Sequence, residues 1–489
     1  MKLQCRPPLT LSDAEMEKIK QAAVRVFRRV PLRAQGTDEF NQALRDFGCE
    51  IDRDLVRFPD TVVDMVLRRI EVGATRRVAP TAAPRSIDHT YRDKIHYAAS
   101  GQALYCSDVE TDTLRAATTQ DLADFSHAVE TFPDLDRAHP TFIPQDVPAG
   151  SCDVHAFATI ILNSSKPYRV SVYSERMLPY FIELQAVADG SVEAVKQDPI
   201  FAAKCWYNSP FMITNENIRI AMKARELLGQ PFTISTMPVA GMATPVTLAG
   251  ALVQMTAEIF GCNAITLALD DRLIGYCAGP LTFDMRAGVH TQAGADALVL
   301  KLGAAQMGAY LFGGHHTAPA SPTTQAKVPG AQAMMDKSLN AMWAILGGVR
   351  SFGSLGILAC ADIGSVVQLV LDVEMMSYFE RLLQGITVDE ERLAEEVICD
   401  IAPQGARFIE TEHTAKFFRE ELWLPELLDR RLPMAWARDP VTMLDNARRR
   451  AKQLIATAPN RCPLSDEQKR EVARIVAAAD REVAATTRS

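Results

Sequence analysis

PFTISTMPVAGMATPVTLAGALVQMTAEIFGCNAITLAL, residues 231–269, is the stretch that decides the fold. Residues 232–237 are a short β-type run, and a Gly/Ala loop through Gly241 leads to Thr244 and Pro245. These two read as helix N-cap and first helical position, because the N–H that proline lacks is not needed there. Val246, Leu248, Ala249, Leu252, Val253, Ile259 and Phe260 recur at helical spacing down to Gly261, a stop signal. Residues 263–269 then return to β-rich apolar sequence. The expectation is one strand–helix–strand unit whose strands are apolar enough to be buried on both faces, as in a parallel sheet.

The same alternation extends on both sides. Before the central unit it gives a helix over 154–162, a strand over 168–173, a helix from 177, a strand over 203–207 and a helix over 215–228. After it come β runs at 273–277 and 310–313, helices over 293–309 and 331–346, a β run at 349–352 and a helix over 363–383. About eight rounds without a dinucleotide fingerprint predict an α/β fold of the (β/α)8 TIM-barrel kind, assigned to residues 91–387. Residues 1–90 read as a helical N-terminal extension. Ile19, Ala22, Ala23, Val26 and Phe27 share one helical face there, further helices follow at 39–47 and 59–72, and 73–90 is a loop. Residues 388–489 read as a charged helical C-terminal extension in which Val472, Ile475, Val476 and Ala479 form an apolar stripe.

Composition narrows the function. With 489 residues, 48% hydrophobic and 23% charged, the chain has the makeup of a globular protein. A net charge of −8 without a long basic run argues against nucleic acid and favours cationic ligands. No apolar leader or twenty-residue apolar span stands out, so a cytoplasmic protein without membrane segments is expected. Ten cysteines from Cys5 to Cys462 lack CxxC spacing, which suits reduced, buried thiols and no bound metal.

Barrels present ligands at the carboxyl ends of their strands. That rule selects Tyr207-Asn208-Ser209, residues 238–243, 269–271 and 276–279, Gly313-Gly314-His315-His316, and 352–354. Adjacent histidines point apart and seldom chelate one metal, so His315 and His316 suit hydrogen bonding or proton handling. Lys327 sits in a loop just before a helix and is the one lysine considered for imine chemistry.

The central MPVAGMATPVTLAGALVQMTAEIFG, then DMRAG at 284–288, LVLKLGAAQMGAYL, AKVPGAQAMMDKSLNAMWAILGG, LVLDVEMM and HTAKFFREELWLPELLDRR, resembles the trimethylamine methyltransferase family in this order over most of the chain. The resemblance implies the same barrel and a corrinoid-dependent methyltransferase acting on methylated amines or betaines. It also implies that the acceptor is a Co(I) corrinoid on a separate small protein docking over the barrel mouth, with no corrinoid held covalently by this chain. Such a site needs aromatic faces for a methylated cation, with carboxylates or polar groups around it. Tyr105, Trp206, Tyr207, Tyr276, Phe283 and Phe352 are the aromatic candidates. Asp108, Asp372, Glu374, Asn208, Ser209, His315 and His316 are the polar ones. The family's trimethylamine-specific branch carries pyrrolysine, which this chain lacks, so a betaine-type quaternary amine is the expected substrate. Gln325 replaces the aspartate of the family's DAK segment, Gly353 stands where betaine relatives commonly have histidine, and DRLIGYCAG departs from the usual proline-rich stretch. Two rival readings are a lyase using Lys327 as a Schiff base and a non-catalytic betaine-binding protein. Association with further copies of the chain is left open.

Overall fold

A computed structural model describes residues 9–75, 95–313, 321–346 and 349–487. The architecture is mixed α/β, with helices predominating and the strands gathered in sheets of two to four. Among the described residues no sheet runs continuously around a closed barrel.

The decisive stretch folds differently from its sequence reading. Ile234–Thr236 is a strand, paired in parallel with Cys205–Tyr207, and a second short strand, Val239–Ala240, pairs in parallel with Leu281–Asp284. Thr244 does not cap a helix. It closes a tight turn in which the Gly241 N–H donates to the Thr244 carbonyl (3.0 Å), and the helix begins at Leu248. Nor does Gly261 stop it: one helix, Leu248–Asp270, runs through residues 263–269, and Asp271 ends it in the left-handed region at φ 48°. The reason is burial. This helix is enclosed on nearly every side, so it is apolar all round and its β-branched residues imitate a buried strand. It is long and apolar enough to cross a membrane by length and composition, yet most of it is packed inside the protein. Asn263 then holds the chain after the helix, donating to the Gly275 carbonyl (3.0 Å) and accepting from the Ile274 N–H (3.0 Å). Residues 273–277 are therefore loop rather than strand, and the contact nearest a strand is a single parallel bridge between Thr236 and Ala278. Residues 310–313, expected as β, are instead the end of helix Ala295–Phe312.

The N-terminal segment forms the cover of the long helix. Asp13–Arg29 starts on a capping box of Ser12 and Glu15 and turns Ile19, Ala23 and Phe27 inward. Phe27 packs between Phe58 (ring centres 4.8 Å apart) and Phe260 (5.9 Å), tilted against both. The segment is not purely helical: Leu32–Ala34, Glu50–Asp52 and Leu55–Arg57 form an antiparallel sheet, which Met212–Ile213 extends by parallel pairing with Leu32–Ala34. Backbone hydrogen bonds thus join the extension to the segment after Cys205–Tyr207.

The expected parallel strands form in part. His96–Ala99 lies between Leu135–Ala138 and Ser351–Leu355, parallel to both, and Val170–Ser171 pairs in parallel with Phe201–Ala202. Helices Asn215–Leu228 and Ala331–Leu346 match their sequence reading to the residue. At the C-terminus, Met443–Thr457 and Asp466–Thr487 pack back onto the body, with Val472, Ile475 and Ala479 of the expected stripe buried.

Candidate active site

Strand parity determines which side chains reach the site. Along residues 201–207 burial alternates, with Phe201, Ala203, Cys205 and Tyr207 turned into the cores and Ala202, Lys204 and Trp206 on the other face. Trp206 is paired with Ser235, which shares that face. In the separate sheet around His96–Ala99, Tyr97, Ala99, Phe352 and Leu355 pack into a helix-lined core. By the same alternation His96 with Ser351, and Ala98 with Arg137, lie on the opposite side. We take this second face, and the strand ends that continue it, as the candidate site.

Its most unusual group is Lys204. The ammonium lies 5.1 Å from the centre of the Trp206 ring, and among the described residues nothing pairs with it by hydrogen bond or salt bridge. Burial holds the ammonium below its usual range, opposed by the nearby Cys277 and Cys262 thiols. Trp206 is 41% exposed, and Met237 just beyond the paired strand is 42% exposed. Tyr173, after Val170–Ser171, is 38% exposed. Its backbone N–H donates to Asp153 (3.0 Å), whose carboxyl burial pushes up to about 6. At the end of Leu135–Ala138, His139 Nδ1 accepts the Arg169 N–H at 2.6 Å. Burial, with Arg137 and Arg169 close by, pushes the imidazole down to about 3, so it is neutral.

A second cluster shapes the end of Ser351–Leu355. The Ser354 N–H donates to Ser100 Oγ (2.9 Å), and Ser354 Oγ donates to Ser321 Oγ (3.2 Å). A Cβ on Gly353 would lie 2.9 Å from Ser100 Oγ, so only glycine leaves that hydroxyl in place. The turn that follows is strained, with Ser354, Ala359 and Cys360 at φ 60°, 49° and 67°. Beneath it Lys337 Nζ donates to the carbonyls of Ser354 (3.2 Å) and Ile357 (2.8 Å), while Asp372 accepts from the Gly356 N–H (2.7 Å) and Gln368 (2.8 Å).

A third group lies under residues 207–211. Glu258, from the long helix, accepts from Ser209 Oγ (2.6 Å), Thr236 Oγ1 (3.1 Å) and Gln254 Nε2 (3.0 Å). Burial raises its carboxyl, and these donors oppose the rise.

The sequence candidates are dispersed over this architecture. Tyr207 is buried against the long helix, Phe352 against the helix-lined core, and Tyr276 is buried with its hydroxyl 2.9 Å from Thr256 Oγ1. Asn208 bonds Met212 through its backbone, and its side-chain oxygen accepts from Asn217 (3.4 Å). Tyr105 is exposed on a separate small sheet, and Asp108 next to it organises a turn by accepting from the Glu110 and Thr111 N–H groups (3.0 and 2.9 Å). Glu374 faces the C-terminal segment, where it accepts the Leu427 N–H (3.0 Å). Phe283 lies on Leu281–Asp284 in another three-stranded sheet. His315 and His316 lie outside the described residues. Lys327 is exposed and donates to the Gln325 carbonyl (2.7 Å) in its own loop. Among the described residues no three His, Cys, Asp or Glu side chains are grouped to hold a metal ion.

The structure adds Lys204, Glu258 and Lys337, which sequence reasoning passed over, and gives Ser354, within the selected residues 352–354, its partners. Lys204 and Glu258 sit in apolar sequence that gives no motif, and Lys337, between Asp336 and Ser338, reads as part of a polar helix face. Lys204, in AAKCWY, is nevertheless a charge within a β-type run, and that was the available signal.

The profile of the family described as trimethylamine methyltransferase (MTTB) matches residues 2–484. The trimethylamine methyltransferase MttB of Methanosarcina thermophila is 24% identical over 435 residues, 87% of this chain and 88% of that protein. A trimethylamine methyltransferase MttB of Desulfitobacterium hafniense (strain DSM 10664 / DCB-2) is 22% identical over 431 residues, covering 87% and 84%. The glycine betaine methyltransferase of Desulfitobacterium hafniense (strain Y51) is 25% identical over 345 residues, covering 70% and 71%.

Proposed function

The chain belongs to the trimethylamine methyltransferase family, and from that premise we propose that it moves a methyl group from a betaine-type quaternary amine to the Co(I) centre of a corrinoid carried by a partner protein. It is a methyltransferase by family, and the match from residue 2 to residue 484 is the observation that carries the reading. The corrinoid supplies a nucleophile strong enough to take the methyl group, so that the C–N bonding pair leaves on a neutral tertiary amine and no general acid is required. This chain's part is to hold the ammonium group, orient one methyl outward and keep water away. Trp206, Met237 and Tyr173 offer partly exposed aromatic and thioether surface for that task. Asn208 and Ser209, at the end of the Trp206 strand, are the neighbouring polar groups.

We propose further that residues 91–387 close into a (β/α)8 barrel. Support comes from the order of parallel pairing: His96–Ala99 with Leu135–Ala138, Val170–Ser171 with Phe201–Ala202, Cys205–Tyr207 with Ile234–Thr236, and Ser351–Leu355 returning to His96–Ala99. A late strand pairing in parallel with the first is what closure requires. The nine free cysteines among the described residues support a reducing, cytoplasmic setting.

Mixing the protein with Co(I) cobalamin and glycine betaine tests the function. Methylcobalamin absorbance should grow in step with dimethylglycine. A panel of betaines that yields no methylcobalamin overturns the reading. The imine-forming alternative at Lys327 lacks a desolvated setting, because that side chain is exposed.

A further inference from the structure

We propose that Lys204 is the receptor for a carboxylate, and that the protein selects methylated ammonium compounds that carry one. This rests on the reading of the strand face as the substrate site and adds the group that decides between substrates. The geometry has three parts. Lys204, immediately before strand Cys205–Tyr207, shares the face of Trp206 two residues on, with its ammonium 5.1 Å from the ring centre. It has no hydrogen bond or ion pair among the described residues. Its ionisable neighbours, Cys262 and Cys277, are thiols held neutral by burial, so they bring no anion.

A desolvated cation without a counter-charge is costly, and an anion delivered by a ligand removes that cost. Arg137 lies on the corresponding face of its own strand, and its Nε is buried without a hydrogen-bond partner. The acid whose charge reaches Arg137, Asp136, is held by His96 Nδ1 at 2.7 Å, and no acid is paired with Lys204 among the described residues. A betaine carries its carboxylate and its ammonium only a few bonds apart, so it needs a cation and a π face side by side. Lys204 and Trp206 provide that pair, with the carboxylate on the lysine and the trimethylammonium over the exposed part of the indole.

Calorimetric titration of the full chain with glycine betaine, choline, tetramethylammonium and 3,3-dimethylbutyrate separates the two ends of the ligand. The last compound keeps the carboxylate and replaces the cation by carbon, and it has no methyl group to transfer. Binding of it therefore tests Lys204 even where methyl transfer fails. Glycine betaine should bind about tenfold or more tighter than choline. Lys204→Met should abolish that preference and the binding of 3,3-dimethylbutyrate while leaving choline within about twofold, and Lys204→Arg should restore part of it. Equal affinity of the unaltered protein for betaine and choline, or betaine binding by Lys204→Met at unaltered strength, overturns the proposal.

Discussion

Lys337 Nζ lies 2.7 Å from Asp372 Oδ2, and neither side chain has any exposed surface. Burial pulls the ammonium down and the carboxyl up, and each partner opposes the shift in the other. The pair ties helices Ala331–Leu346 and Val366–Gln384 to the strained turn after Ser351–Leu355, through the backbone of Ser354, Gly356 and Ile357. Breaking one side of such a pair leaves an uncompensated buried charge, which costs about 3–5 kcal/mol. Lys337→Met should therefore lower the melting temperature sharply. Lys337→Met/Asp372→Leu should recover much of the loss, because both charges are then gone. A double variant no more stable than the single one would show that the backbone contacts, rather than the charges, hold the turn.

Acid should destabilise the protein through His139. Its folded pKa, about 3, lies below the ordinary value of 6.5, so the neutral ring is the form the fold accepts. The unfolded chain takes up a proton as pH falls below 6.5 and the folded chain does not, so stability is full above pH 6.5 and is lost progressively toward pH 3. Because the ring keeps some solvent contact, the loss is about 2–4 kcal/mol. His139→Gln should flatten the melting-temperature profile in that window. Asp153, pushed up to about 6, acts with the opposite sign, since the fold prefers its protonated form and stability falls as pH rises from 3.8 to 6. Asp153→Asn should thus steepen the acid profile rather than flatten it.

The sequence conveyed helices and their order better than it conveyed faces. Asn215–Leu228 was legible because it is amphipathic and ends at Gly229. The segment 263–269 was misread because a wholly buried helix loses the 3.6-residue alternation and shows only its β-branched content. At the candidate site the obstacle was parity. In AKCWYN the one clue is Lys204, two residues before Trp206, and the alternating burial of the folded strand shows that Tyr207 faces the core. Lys337 and Asp372 were invisible as a pair because their meeting depends on how two helices cross. The distribution of charge on the strand face depends on which strands pair, and that is set by contacts far apart in the chain.

Glycine tolerance distinguishes the long helix from the strand end. An added Cβ at Gly261 would meet Tyr207 Oη at 3.7 Å and Phe27 Cε2 at 3.8 Å, ordinary contacts. Gly261→Ala should stabilise by about 0.5–1 kcal/mol, the usual gain inside a helix. At Gly101 the same atom would lie 2.8 Å from the Thr141 carbonyl oxygen, which is backbone and cannot give way. Gly101→Ala should therefore destabilise by about 1–3 kcal/mol. Parallel thermal melts decide, and a destabilised Gly261→Ala would argue against an unbroken helix through residue 261.

Trp206 should govern substrate affinity more than stability. Its ring is 41% exposed and lies on the face away from the helix-packed core, so replacing it creates no sealed cavity. A methylated ammonium over an indole gains about 0.5–2 kcal/mol, which corresponds to roughly 2–30-fold in affinity. Trp206→Leu should accordingly raise KM for glycine betaine by roughly tenfold with Co(I) cobalamin as acceptor, while its melting temperature stays within a few degrees of the unaltered protein. Trp206→Phe, which keeps a π face, should recover part of the loss, and Trp206→Leu should affect 3,3-dimethylbutyrate binding less than betaine binding because that ligand has no cation. The comparison separates ring electrostatics from simple contact area. If leucine and phenylalanine behave alike, or if both ligands lose affinity equally, the indole is acting as an apolar wall and the ammonium group must be held elsewhere on the strand face.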